Sequence, residues 1–198
     1  MLVTALEPRR KSMTAVYLDG EFAMQLDTMT LLENKIKVGM EITDEQLHNL
    51  IKKSETSLAK EKALYLITYR DHSRKELENK IRRSYSPETA EEIADKMQEL
   101  GLVNDEEYAR KYATELLHKK HMSPKAIAYK LKEKGISPEI ISLITQELDY
   151  DPLDEIREIL ERKYSDYSQN EKVKRRAIAY LQRMGWSWSD IKSVMNSD

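Results

Sequence analysis

Histidines, paired carboxylates, tyrosines and clustered cations are the side chains through which this sequence could do chemistry. The four histidines are His48, His72, His118 and His121, and only the last two fall close together, at i,i+3. They stand beside Lys119 and Lys120 near an expected helix end, where cations suit the negative terminus and neighbouring lysines oppose a bound metal. Carboxylate runs such as Asp105-Glu106-Glu107 fall in an expected first helical turn, where they complement the helix dipole rather than catalyse. No GxGxxG, P-loop or GxSxG pattern occurs, so no enzyme activity and no cofactor are expected. Tyr65 and Tyr69, like Tyr108 and Tyr112, are spaced i,i+4. That spacing reads as a core stripe with hydroxyls at its rim, stacking on a base or a protein partner being the other use. Trp186 is expected in the core and Trp188, in a first turn, at the surface.

The cations are more informative than the histidines. The chain of 198 residues has 33 Lys and Arg against 35 Asp and Glu, for a net charge of −2. That balance does not indicate a uniformly basic nucleic-acid binder. The signs are nevertheless sorted along the chain. Residues 70–83 carry six basic and three acidic side chains, and residues 88–107 carry one basic and eight acidic. Residues 110–134 then hold eight basic and two acidic, residues 139–161 one and eight, and residues 172–183 five and none. Pairing at i,i+4 would mix signs within a helix; here whole helices differ. The candidate anion-facing residues are Arg70, Arg74, Lys75, Arg82 and Arg83 in a first unit. A second supplies Lys119, Lys120, Lys125, Lys130 and Lys132, and a third Lys172, Lys174, Arg175, Arg176 and Arg183. The competing reading is that these cations solvate an outer helical face.

The elements that must position these residues are mostly helices. Hydrophobic residues make up 40% and charged residues 34%, with five Gly and five Pro, a composition too apolar for disorder and too rich in helix formers for a β-sandwich. Absence of cysteine excludes disulfides, and no apolar run approaches the ~20 residues of a membrane span. A soluble cytoplasmic monomer without a signal peptide is expected. Residues 1–42 differ from the rest: Leu2–Leu6, Met13–Leu18 and Glu21–Leu26 read as strands, with Asp19-Gly20 as a type I′ hairpin turn. Residues 29–34 read as a short helix. Lys37–Ile42 could add an extended piece.

From Thr43 onward nearly every helix start is marked. Thr43 with Gln46, Ser73 with Glu76 and Asn104 with Glu107 fit or approximate capping boxes. Ser86-Pro87, Ser123-Pro124, Ser137-Pro138 and Asp151-Pro152 place a cap before a first-turn proline. Gly101, Gly135 and Gly185 suit left-handed C-caps. The spacing predicts helices over 43–57, 59–71, 73–84, 86–100, 104–121, 123–134, 137–149, 151–164, 170–184 and 187–196.

These helices repeat. Shifted by 50 residues, Ser73, Leu77 and Ile81 fall on Ser123, Ile127 and Leu131, and then on Val173, Ala177 and Leu181. Three tandem three-helix repeats, stacked as an elongated helical array, are the simplest reading. The expected boundaries are an N-terminal β-hairpin plus helix region over 1–58, then repeats over 59–103, 104–150 and 151–198.

The stretches Ala63-Leu-Tyr-Leu-Ile-Thr-Tyr-Arg70, Ser73-Arg-Lys-Glu-Leu77 and Gly101-Leu-Val-Asn-Asp-Glu-Glu-Tyr-Ala109 resemble the RecX family of recombination regulators. Lys132-Glu-Lys-Gly-Ile136 resembles that family's second unit, and Leu181-Gln-Arg-Met-Gly-Trp186 its third, where Arg-Gly-Phe is commoner. Tyr17-Leu-Asp-Gly-Glu-Phe22 resembles the N-terminal extension of Gram-positive members. The resemblance implies a non-enzymatic negative modulator of RecA. It would bind the RecA filament on single-stranded DNA, in the filament groove, and inhibit ATP hydrolysis, strand exchange and LexA cleavage. Some members are markedly basic overall and this chain is not, which weakens the alternative of a direct single-stranded nucleic-acid binder competing for DNA.

Overall fold

The computed structural model describes residues 1–196. Three antiparallel strands open the chain: β1 (Val3–Pro8), β2 (Met13–Leu18) and β3 (Glu21–Asp27), with β2 in the middle. The β2–β3 connection is a two-residue turn closed by the Leu18–Glu21 pair, with Asp19 at φ 51° and Gly20 at φ 92°. Both angles are positive, as a type I′ turn requires, and glycine adopts the second without strain. Residues 37–42 add no strand but a turn, Gly39 at φ 89°, pinned to the sheet edge: the Val3 N–H donates to the Met40 carbonyl at 2.8 Å, the Gly39 N–H to the Val3 carbonyl at 2.8 Å, and Leu2 bridges Glu41. One face of the sheet buries Val3, Val16, Leu18 and Leu26 against Leu31 of α1 (Thr28–Glu33), Ile42, and Leu50 of α2 (Asp44–Tyr69).

Helix α2 departs from expectation. The spacing predicts two helices meeting near residue 58, but one helix of 26 residues runs unbroken from the Thr43 capping box to Tyr69. Two serines just before the expected junction bond to the end of β3. Ser54 Oγ accepts the Asp27 N–H at 2.7 Å, and the Ser57 hydroxyl donates to Asp27 Oδ2 at 3.2 Å. Asp27 also caps α1, accepting the Thr30 N–H at 2.9 Å and the Thr30 hydroxyl at 2.8 Å. Burial alone would raise the Asp27 pKa, but the Thr30 and Ser57 hydrogen bonds outweigh it and hold the carboxyl below its ordinary 3.8.

A pH dependence follows. A carboxyl depressed by folding contributes stability that is present above its unfolded pKa and lost as pH falls below it. Asp27→Asn should cost about 1–3 kcal/mol at pH 7, and urea unfolding should show the gap to the unmutated protein narrowing as pH drops below 3.8. A gap independent of pH would mean that the carboxylate charge is not what ties β3 to α2.

The remaining helices are α3 (Arg74–Ile81), α4 (Pro87–Glu99), α5 (Asp105–Lys120), α6 (Pro124–Glu133), α7 (Pro138–Glu147), α8 (Pro152–Lys163), α9 (Glu171–Arg183) and α10 (Trp188–Met195). The expected caps Ser73, Ser86, Asn104, Ser123, Ser137 and Asp151 each accept an N–H of the first turn, and so do Asn170 and Ser187, which open α9 and α10. The helices form three successive trios: the C-terminal half of α2 with α3 and α4, then α5–α7, then α8–α10.

Each trio has a core of its own. Ala59, Ala63, Leu77, Ile81, Ile93 and Met97 fill the first. Ala113, Leu117, Ile127, Leu131 and Ile144 fill the second. Ile156, Leu160, Ala177, Leu181, Trp186 and Ile191 fill the third. The positions that recur every 50 residues, Leu77/Ile81, Ile127/Leu131 and Ala177/Leu181, are fully buried in their respective trios. Two compact units result, residues 1–103 and residues 104–198, the second holding the α5–α7 and α8–α10 trios.

Candidate functional site

In the first trio Arg70, Arg74 and Lys75 are held by the protein itself. Arg70 caps the end of α2, and its guanidinium forks onto Glu76 at 3.0 and 2.8 Å. Arg74 donates through Nη1 to Glu78 at 2.8 Å and through Nε to Asp95 of α4 at 2.6 Å, and Nη2 lies 3.9 Å from Glu91. Lys75 reaches the other oxygen of Glu78 at 2.8 Å. The hydrogen bond to Asp95 is the main reason that the Arg74 pKa is raised. Burial would raise the Glu78 carboxyl, but Lys75 and Arg74 keep it below its ordinary value. Part of the charge sorting is thus a clamp between α3 and α4. Arg82 and Arg83 follow α3, are exposed, and make no ion pair among the described residues.

The cations become freer along the chain. Lys119 lies 3.9 Å from Glu115, and Lys130 pairs with Glu133 at 2.7 Å on the same helix. Lys120, Lys125 and Lys132 are exposed and make no ion pair among the described residues. Two acids of α8 turn instead to their own helix, Asp154 to Arg157 at 2.7 Å and Glu158 to Arg162 at 3.0 Å. Among the described residues the cations of α9 have no carboxylate within ion-pair distance, and Arg183 lies over the Tyr180 ring, 5.3 Å from its centroid. Lys172, Lys174, Arg175, Arg176 and Arg183 make no ion pair among the described residues, and all but the half-buried Lys174 are exposed.

The grouping of candidates also needs correcting. Arg70 ends α2, Arg82 and Arg83 lie in the turn after α3, and Lys119 and Lys120 end α5. Those five are not on middle helices: the charge runs begin before α3 and α6 start, taking in Arg70 and Lys119 and Lys120, and the first run continues past the end of α3 at Arg82 and Arg83.

The aromatic residues divide. Tyr108 is buried, and Tyr112 packs beside it with ring centroids 5.8 Å apart. Tyr65 and Tyr69, expected in a core stripe, are instead 73% and 81% exposed. The buried stripe of α2 runs through Ala59 and Ala63, with Leu66 and Ile67 against it. At ~100° per residue, positions 65 and 69 turn away from it. Tyr129 on α6, which the charge and repeat patterns did not single out, is 63% exposed. Its signal was available: it stands two positions from both Ile127 and Leu131, hence on the opposite face. Trp186 is buried and Trp188 is 54% exposed, as expected.

The junction between the second and third trios is built on Trp186. Its indole N–H donates to the His121 carbonyl at 2.9 Å, and its ring packs 6.2 Å from that of Tyr150. The Ser123 N–H donates to the Met184 carbonyl at 2.9 Å. Gly185, at φ +89°, sits so close that a Cβ there would lie 2.4 Å from Ser123 Oγ and 2.9 Å from the Ala126 Cβ. His121 ends α5 in the left-handed conformation and faces Glu155, with Glu158 nearby. Arg162 already neutralises Glu158 and lies 3.5 Å from His121 Nε2, so a resident guanidinium occupies the side from which a metal would be held.

Comparison with known proteins matches this arrangement trio by trio. Family models of the RecX first, second and third three-helix domains match residues 59–101, 104–143 and 149–195. The chain belongs to the RecX family. A RecX relative, "Regulatory protein RecX" of Caldanaerobacter subterraneus subsp. tengcongensis, is 30% identical over 99% of both chains. That of Clostridium tetani is 27% identical over 96% of this chain and 90% of its own. In fold, the chain is similar to a "Crystal structure of regulatory protein RecX" at TM-score 0.68 and 19% identity, covering 100% of this chain and 99% of the other. It is also similar to RecX from Lactobacillus salivarius at TM-score 0.60 and 24% identity, over 72% of this chain and 96% of the other. RecX is a family of regulatory proteins, and no helix among the described residues is long and apolar enough to cross a membrane.

Proposed function

We propose that this chain is a non-catalytic negative modulator of RecA, acting as a monomer on the RecA filament assembled on single-stranded DNA. It would bind in the filament groove and inhibit ATP hydrolysis, strand exchange and LexA cleavage. Membership of a regulatory family supports the class of role. The observation that carries the contact is the unpaired charge of α9, backed by Lys120, Lys125 and Lys132 in the second trio. Arg70, Arg74 and Lys75 are assigned a smaller share, because Glu76, Glu78 and Asp95 already hold them. Arg82 and Arg83 in the first unit, and Lys119 and Lys130 in the second, are the remaining candidates. Unpaired cations keep their full attraction for an anionic partner, whereas a cation in an internal clamp must first give up its carboxylate.

The test is inhibition of RecA ATP hydrolysis on single-stranded DNA by the full chain. Action on the filament predicts inhibition at protein well below the stoichiometry that would coat the DNA. Inhibition confined to coating concentrations would replace this reading with direct competition for DNA.

A further inference from the structure

Between α6 and the turn joining α9 to α10 lies a groove of about 710 Å³. Its apolar lining is Met122 and Ala126 on one side and Met184 and Trp186 on the other, with the exposed ring of Tyr129 at the edge. Lys125, Lys130 and Arg183 also line it, and no carboxylate among the described residues does. The walls are fixed by the bond from the Ser123 N–H to the Met184 carbonyl, and by Gly185, whose lack of a side chain lets the turn press on Ser123 and Ala126. The cleft is therefore set by the packing of two trios within one compact unit, not by a mobile loop.

We infer that this groove binds an acidic peptide segment of the protein partner, with an apolar side chain inserted between the methionines and its carboxylates on the surrounding cations. The inference rests on the modulator reading for the partner's being a protein. Charge complementarity sets the sign: Lys125, Lys130 and Arg183 line an apolar slot, and only Lys130 already has a carboxylate, that of Glu133 on its own helix. Unbranched, polarisable methionine side chains adapt to an inserted Leu, Met or Phe, the usual division of labour when an amphipathic segment enters a groove. A nucleic-acid strand fits less well, because stacking needs successive open aromatic faces. Here Tyr129 is the only open ring in the lining, Trp186 being 5% exposed with Tyr150 against it.

The experiment uses the full chain with methyl-labelled methionine, titrated with a blocked peptide of about 14 residues carrying Glu and Asp around Leu at helical spacing. The expected result is saturable shifts of the Met122 and Met184 methyls and quenching of tryptophan fluorescence. A peptide with Lys in place of Glu and Asp should produce neither. Tyr129→Ser, which keeps every charge, should weaken binding about tenfold or more, as should Lys125→Glu combined with Arg183→Glu. Tyr129 is largely exposed, so that variant should fold, which the unchanged methyl spectrum of the free protein would verify. No methyl shift with the acidic peptide, or shifts with oligothymidylate alone, would overturn the inference, as would full affinity in Tyr129→Ser. The two readings fail separately. Lys172→Glu with Arg176→Glu lies outside the groove and should weaken RecA inhibition without touching peptide affinity. Loss of peptide binding with charge-dependent inhibition intact would sink the groove alone; peptide binding without any RecA inhibition would sink the modulator.

Discussion

Reversing Lys172, Arg175 and Arg176 to Glu is expected to raise the concentration needed to inhibit RecA ATP hydrolysis on the order of a hundredfold at low salt. All three are exposed on α9 and make no ion pair among the described residues, so no internal carboxylate is orphaned by the change. Substitutions at such positions usually move stability by less than ~0.5 kcal/mol, and Glu at 172 falls in the first turn, where a negative charge suits the helix dipole. The unmutated chain should lose inhibition steeply as salt rises, and the triple variant should show a flatter dependence. Reversing Glu91, Glu92 and Glu99 on α4 to Lys serves as the control and should have a smaller effect. Equal inhibition by the α9 variant and the unmutated chain at every salt concentration would move binding to the apolar and tyrosine surfaces.

The largest effect on stability is expected at Trp186. Trp186→Ala should destabilise residues 104–196 by about 3–5 kcal/mol, as large-to-small changes of buried aromatics do. It empties the centre of the junction and leaves the His121 carbonyl without its indole donor. Trp186→Phe restores most of the apolar contact but not the hydrogen bond, and should cost about 1–2 kcal/mol. Urea denaturation followed by circular dichroism measures both. If Trp186→Ala lost less than ~1 kcal/mol, the second and third trios would have to be held together by contacts other than this ring.

Local chemistry was legible in the sequence. Ser123-Pro124, Ser137-Pro138 and Asn104 announce helix starts because caps act through groups only two or three residues away. Leu77, Ile127 and Leu181 announce buried faces because the helical period is itself local. What failed depended on groups distant in the chain. The expected junction near residue 58 ignores Asp27, which lies 27 and 30 residues before Ser54 and Ser57: its N–H donates to Ser54 Oγ, and its carboxylate accepts from the Ser57 hydroxyl. Two stripes were available on α2, and hydrophobicity favours Tyr65 and Tyr69 over Ala59 and Ala63. Only the close approach of α3 and α4 shows that small residues were wanted on the inner side. The candidate site divides in the same way. The sorting of charge is visible in the sequence, but whether a cation is free is not: Arg74 finds Asp95 across 21 residues, while α9 finds no such acid among the described residues.

The unbroken α2 has a consequence for how the N-terminal sheet and the first trio can change over time. One end of a single rod carries Leu50 and Ser54 into the sheet, and the other carries Ala59 and Ala63 into the trio. A residue inserted or deleted near Leu58 would swing one attachment by ~100° relative to the other and slide it ~1.5 Å, unseating one of the two. Changes of three or four residues return near the original azimuth and displace the modules along the axis by ~5 Å. Length variation in this connection is therefore quantised in whole turns, whereas the turn between α3 and α4 has no such gearing.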